Sequence, residues 1–93
     1  MKTEKEYTKI IKALSNENRR DIITLLYGSK KEMCVNEISG SIGMSQSLTS
    51  HQLKYLESIS LIEGQRAGQT ICYHYCKNEI SNRTIKVIKA LTN

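Results

Sequence analysis

Gln46, Ser47, Ser50, His51 and Lys54 recur at a spacing that gathers them on one face of a helix. A solvated helix face is ordinarily charged, whereas this one is made of short hydrogen-bonding groups. Amide, hydroxyl and imidazole groups can bond to base edges in a DNA major groove, and they also reach phosphate oxygens. A capped helix N-terminus adds backbone donors toward phosphate. Gln46, Ser47, Ser50 and His51 are therefore the candidates for groove contact, with Lys54 as a phosphate contact or plain solvent charge. Arg66 and Gln69 flank a turn signal, Ala67-Gly68-Gln69. An arginine at a hairpin tip beside a recognition helix can enter the adjacent minor groove, where negative potential concentrates. Lys30, Lys31 and Arg19 are further phosphate candidates. Arg19 falls beside an apolar stripe, however, and is expected to support structure, for instance through a salt bridge.

Sulfur offers a second chemistry. The three cysteines are Cys34, Cys72 and Cys76, and Cys72, His74 and Cys76 alternate on one side of a strand pattern, as metal ligands might be spaced. Geometry opposes a shared metal. At about 3.3 Å per residue the outer α-carbons lie roughly 13 Å apart, and zinc bonds of about 2.0–2.3 Å cannot gather all three from a straight strand. The same span excludes a Cys72–Cys76 disulfide, which needs α-carbons within about 7 Å. Cysteines acting as small buried hydrophobes are the plainer reading. An odd cysteine count without an export signal argues against a structural disulfide framework.

The elements that must position these residues follow from periodicity and caps. Tyr7, Ile10, Ile11 and Leu14 give an amphipathic helix from Glu4 to Leu14. Ser15 and Asn16 are good caps for a second helix, which carries Ile22, Ile23, Leu25 and Leu26 and ends at Gly28. Lys30–Met33 reads as a polar connector. Cys34–Ile42 reads as a short helix, Gly43 breaks the chain, and Ser45 caps a helix from Gln46 to about Ser58 with Thr49, Leu53 and Leu56 on its inner face. Two helices around a glycine outline a helix-turn-helix. Ile62–Arg66 and Thr70–Cys76 then alternate as two strands of a hairpin. Asn78 caps a last helix with Ile80, Val87, Ile88 and Leu91. The expected fold is mainly α (α+β): a single winged helix-turn-helix domain over 1–93, with about five helices and a two-stranded wing at 61–76. The helix-turn-helix occupies 34–58, and 1–14 and 78–93 form a dimer seam. In such folds the segment before the third helix runs beside the second wing strand. Cys34 can therefore meet Cys72 or Cys76, oxidised or bridged by a metal.

Composition narrows the function. The chain of 93 residues has 14 Lys and Arg against 9 Asp and Glu, a net charge of +5, and no Trp, Phe or Pro. With so little aromatic bulk, dimerisation is an economical way to cover apolar helix faces. The positive charge points to an anionic partner, with double-stranded DNA first. Residues 1–31 hold eight basic and four acidic side chains and residues 61–93 hold five and two, while 32–60 hold only Lys54 against three glutamates. The charge that would hold phosphates thus flanks the segment that would read bases. No run of about eighteen apolar residues spans a membrane, and MKTEKEYTK lacks a signal peptide's apolar stretch, so a cytoplasmic location is expected. No nucleophile–base constellation or glycine-rich phosphate loop suggests an enzyme, and no cofactor is expected.

Ala13-Leu14-Ser15-Asn16-Glu17-Asn18-Arg19, Glu32-Met33-Cys34-Val35-Asn36-Glu37 and Ser45-Gln46-Ser47 through Ser50-His51-Gln52-Leu53-Lys54 resemble the successive motifs of the ArsR/SmtB winged-helix repressors. Leu61-Ile62, Arg66-Ala67-Gly68-Gln69 and Tyr73 follow that family's wing pattern. The resemblance covers residues 13–76. It implies a homodimer that binds an imperfect palindrome, represses its own operon and is usually relieved by a metal ion or a thiol oxidant. The chain departs from the family pattern in four places, the first being an N-terminal tail without a cysteine to complete a metal site. Asn36 stands where the family has its second metal-box cysteine. The last helix has only Glu79 of the zinc-sensing Asp/His/Glu sets. Arg20 replaces a usual aliphatic. The expected regulator therefore lacks the family's recognisable metal site, and the alternative is a thiol or metal sensor built on Cys34 with Cys72 or Cys76.

Overall fold

The computed structural model describes residues 2–92; Met1 and Asn93, at the outer limits of the expected seam helices, lie outside them. Helix α1 (Lys2–Leu14) is followed by α2 (Glu17–Gly28), a short strand β1 (Met33–Cys34), and helices α3 (Val35–Ile42) and α4 (Gln46–Ser58). Strands β2 (Ile62–Ala67) and β3 (Thr70–Tyr75) form the wing, and α5 (Glu79–Thr92) closes the order. This is the expected winged helix-turn-helix.

The helix starts are set by side-chain caps, which satisfy backbone N–H groups that have no intrahelical partner. Asn16 Oδ1 accepts from Arg19 N at 3.0 Å, Ser45 Oγ from Leu48 N at 3.1 Å, and Asn78 Oδ1 from Ser81 N at 2.8 Å. Between α3 and α4 the chain turns on Gly43 at φ 81°, a left-handed conformation that needs no Cβ. The N–H groups of Gly43 and Met44 both donate to Ser39 O, closing the turn.

The core is the intersection of these helices with the sheet. Ile22 and Ile23 of α2, Ile38 of α3, Leu53 and Leu56 of α4, and Leu61, Ile62 and Tyr73 around the wing are buried together. Ile85 joins them from α5, and Ile10, Ala13 and Leu14 from α1.

Two expectations are corrected. The sheet has three strands in the order β1–β3–β2, all antiparallel, with Met33 opposite Tyr73 and Cys34 opposite Cys72. Met33 therefore belongs to a strand rather than a connector, and Cys34 is the N-cap of α3 rather than its first turn. Among the described residues Arg19 takes no carboxylate partner. Its guanidinium donates to Lys12 O and Ala13 O at the end of α1 and to Gln52 Oε1 on α4. Arg20, in place of the usual aliphatic, is exposed and donates to Leu14 O, so it leaves the packing undisturbed.

Candidate nucleic-acid interface

Helix α4 divides cleanly by angle. At about 100° per residue, Thr49, Gln52, Leu53 and Leu56 fall on one side, and all four are buried. Ser47, His51 and Lys54 fall opposite them and are exposed. Gln46 is exposed on the first turn, and Ser50 is half-buried on the flank. All five residues singled out in the sequence thus lie on or beside the outer face. Two of their neighbours carry information that was not anticipated. Leu48 is 43% exposed on the first turn, an apolar group beside the hydrogen-bonding ones. Gln52, inside the same motif, is buried against Arg19 rather than presented outward.

The wing is held at a fixed place beside this helix. Glu57 Oε2, at the end of α4, accepts from Gly64 N on β2 at 3.0 Å. Asn78 Nδ2 donates to Ser60 O at 2.9 Å, fixing the loop that leads into the wing, where Ser60 sits at φ 68°. Gly64 is needed because a Cβ there would lie 2.6 Å from the Tyr73 ring, which covers the strand. At the far end Gly68 turns the hairpin at φ 68°, and Arg66 and Gln69 are both exposed at this tip. Lys30 and Lys31 do not join them. They line a pocket with Tyr75, Cys76 and Lys77 at the base of the wing. Five strand residues at about 3.3 Å each separate base from tip, roughly 16 Å.

Residues 16–63, just over half of the chain, match the family model for the bacterial regulatory proteins of the arsR family. The chain belongs to the ArsR family. It is similar to the HTH-type transcriptional regulator NmtR of Mycobacterium tuberculosis, with 38% identity over 68% of this chain and 51% of that protein. The chain thus spans about half the length of that curated relative. Among solved structures it is similar to HlyU from Vibrio cholerae, with a TM-score of 0.81 and 26% identity over 98% of this chain and 96% of that one. A homodimeric winged helix-turn-helix DNA-binding domain, Mb0332 from Mycobacterium bovis, gives a TM-score of 0.80 and 26% identity over 96% and 81% of the two chains. ArsR-family proteins are transcription regulators, not enzymes.

Two further features of this ArsR-family chain bear on regulation and assembly. Of the two cysteine pairings left open by the sequence, the structure contains Cys34–Cys72, a disulfide across β1 and β3, and Cys76 is free. The Cys76 thiol is pushed above its ordinary range, first by burial and then by the Glu63 and Glu57 carboxylates. His74, on the same strand as Cys72, lies between carboxylates. Its Nδ1 is 3.8 Å from Glu32 and its Nε2 is 3.4 Å from Glu63. Among the described residues no group of three His, Cys, Asp or Glu is arranged to hold a metal ion.

Helices α1 and α5 form a groove of about 890 Å³ whose lining includes Tyr7, Ile10, Ile11, Val87 and Leu91. Tyr7 and Ile11 are each 64% exposed and Leu91 is 74% exposed. Arg83 ties the two helices together by pairing with Glu6. Among the described residues no helix is long and apolar enough to cross a membrane.

Proposed function

We propose that this protein is a homodimeric, sequence-specific transcriptional repressor of the cytoplasm that binds an imperfect palindrome in the promoter of its own operon. The carrying observation is the outer face of α4, where hydrogen-bonding side chains stand exposed with almost no charge. In this reading Gln46, Ser47, Ser50 and His51 meet base edges in the major groove, and Leu48 packs on a thymine methyl. Lys54 meets the backbone, and Arg66 with Gln69 follows the adjacent minor groove. A second copy covers the apolar groove of α1 and α5, so that two recognition helices face two half-sites. The homodimeric state of the similar Mb0332 domain supports that assembly. The test is binding of the purified protein to a duplex carrying the promoter upstream of its own gene, over a range of salt. Affinity falling steeply with salt, and at least about 10³-fold above that for unrelated DNA, is the expected result. Equal affinity for both duplexes would reject the reading.

The Cys34–Cys72 pair favours a second reading, in which the same regulator responds to oxidants. Cys34 begins the helix-turn-helix and Cys72 sits in the central strand of the wing. Joining them requires two thiols to give up two electrons and two protons to an oxidant such as diamide or a peroxide. The bond then ties the wing to the first helix of the DNA-reading unit. Cys76 is poorly placed to reverse this by exchange, because the thiolate is the attacking species and its pKa is raised. Promoter affinity should differ at least about fivefold between diamide-treated and reduced protein, and the difference should vanish in Cys34→Ser and Cys72→Ser. An unchanged affinity in the wild type, with the disulfide verified by mass, would remove the redox reading alone. The same assay with zinc and cadmium tests for a metal effector.

A further inference from the structure

We infer that Arg19 is a positioning residue for DNA recognition: it sets the roll of the recognition helix relative to the dimer seam without touching DNA. The inference rests on the homodimeric DNA-binding reading above and adds to it the route by which the seam fixes the reading face. Arg19 lies in the first turn of α2, where its own N–H is held by the Asn16 cap at 3.0 Å. From there its side chain serves two other helices at once. Nη2 donates to Lys12 O at 2.6 Å, which also accepts from Ser15 Oγ at 2.9 Å, and Nε donates to Ala13 O at 3.4 Å; both are carbonyls of the last turn of α1. Nη1 donates to Gln52 Oε1 at 3.1 Å, and the guanidinium carbon stands 4.6 Å from the centre of the Tyr55 ring. Both Gln52 and Tyr55 belong to α4.

The chemistry suits one residue type. A guanidinium is a flat, rigid fork of five N–H donors that also stacks on aromatic rings. Its positive charge suits the negative end of the α1 dipole. A lysine has a flexible stem and a point charge, and cannot span two carbonyls, an amide and a ring in one plane.

The placement of the tie determines what it controls. Leu53 and Leu56 anchor α4 to the core and fix its distance from the other helices. Counting about 100° per residue, Gln52 and Tyr55 lie to one side of that anchored line, so a tie there acts as a lateral arm against rotation about the helix axis. With side-chain tips about 5–6 Å from the axis, a roll of about 10° moves the reading groups by about 1 Å, twice the tolerance of about 0.5 Å within which a recognition site must be held. The other end of the arm is α1, which carries Tyr7 and Ile11 of the seam. Seam, α1, Arg19 and α4 thus form one chain of contacts, repeated in each subunit. The consequence is a preference for half-site spacing.

The test uses duplexes selected from a random library by the wild-type protein, rebuilt with the two half-sites moved apart in single base-pair steps through one helical turn. The wild type should show a sharp optimum. Gln52→Leu, which keeps a side chain of similar size in the buried site and removes the hydrogen bond from Arg19 to α4, should lower the ratio of best to next-best spacing by at least about fivefold. Gln52→Glu, which restores a partner for the guanidinium, should recover it. Arg19→Lys should resemble Gln52→Leu, although loss of the α1 contacts also costs stability, so the Gln52 pair carries the test by itself. Dimer mass and affinity for unrelated DNA should be unchanged in both Gln52 variants. A wild-type optimum that persists unaltered in Gln52→Leu would overturn this inference and leave the DNA-binding reading standing. A wild type without any spacing optimum would overturn both.

Discussion

On α4 the exposed residues include Gln46, Ser47, His51 and Lys54, whereas α1 and α5 expose Tyr7, Ile11, Val87 and Leu91. Both surfaces belong to amphipathic helices of similar length, and both stand on the same core. They differ in what they need. The α4 face keeps its hydrogen-bonding groups in water at no cost, and in the proposed reading it exchanges that water for base edges. The α1/α5 face exposes apolar area whose removal from water is worth about 25 cal/mol per Å², so covering it is favourable. In that reading one surface is selective and reversible, and the other is adhesive. Arg19 is placed between them, bonded to the end of the adhesive helix and to the flank of the selective one.

The comparison breaks most visibly at the seam. Ile11→Glu would bury an ionised carboxylate in each subunit's apolar face, a cost of several kcal/mol per ion. Light scattering should then give the 10.6 kDa monomer in place of a species twice that mass. Promoter affinity should fall by about 100-fold or more, because a lone subunit reaches one half-site. An unchanged mass would mean that the apolar groove has another role.

Substitutions on the polar surface should act differently. His51→Ala and Gln46→Ala are expected to cost about 1–3 kcal/mol each on the preferred duplex, roughly 5- to 150-fold. Dimer mass and affinity for unrelated DNA should not move. Arg66→Ala should weaken all sequences more evenly and reduce the slope of log affinity against log salt by about 1. Stability should stay within about 0.5 kcal/mol for all three, since none is buried. Loss of folding in any of them would assign that residue to the scaffold.

The smallest expected effect belongs to neither surface. Tyr75 is packed edge-on against Tyr27 with ring centroids 5.7 Å apart, and its hydroxyl donates to Ser81 O at 2.8 Å. Burial, above all, raises its pKa well beyond the ordinary value of 10.0. A group whose pKa is raised by folding contributes stability below its unfolded pKa and loses it as pH climbs toward the folded one. The urea midpoint of the wild type should therefore fall as pH rises above about 10, and more steeply than that of Tyr75→Phe. At neutral pH the variant should be about 1 kcal/mol less stable for want of its hydrogen bond. The gap between the two should narrow in alkali, and a constant gap would refute the assignment.

How far the sequence was legible follows the range of the forces involved. The helices could be read because their apolar spacing and caps are local, as Asn16, Ser45 and Asn78 illustrate. The wing was legible from alternation on either side of Gly68, and the outer face of α4 from angle alone. Strand β1 was not, because two residues carry no period and form a strand only by pairing with Tyr73 and Cys72. The same register decided between Cys72 and Cys76 as the partner of Cys34, across a separation of 38 residues. The structural role of Arg19 is legible from the apolar stripe beside it, but its partners are carbonyls and an amide rather than a carboxylate. Nothing near residue 19 announces that its fork will reach residues 12, 13 and 52. Gln52 was hidden in the same way, since a polar residue in a polar motif gives no sign that it is buried.

The most direct test of the central claim is to let the purified protein select duplexes from a random library and to sequence those retained. The account predicts enrichment of two inverted half-sites, with centres one helical turn apart or a multiple of it, about 10–10.5 base pairs per turn. The same library offered to a Gln46→Ala, His51→Ala double variant should lose that enrichment while total DNA retention at low salt persists. Retention of DNA by the wild-type protein without any enriched sequence, or an enriched motif left intact by the double variant, would contradict the claim that the outer face of α4 reads DNA.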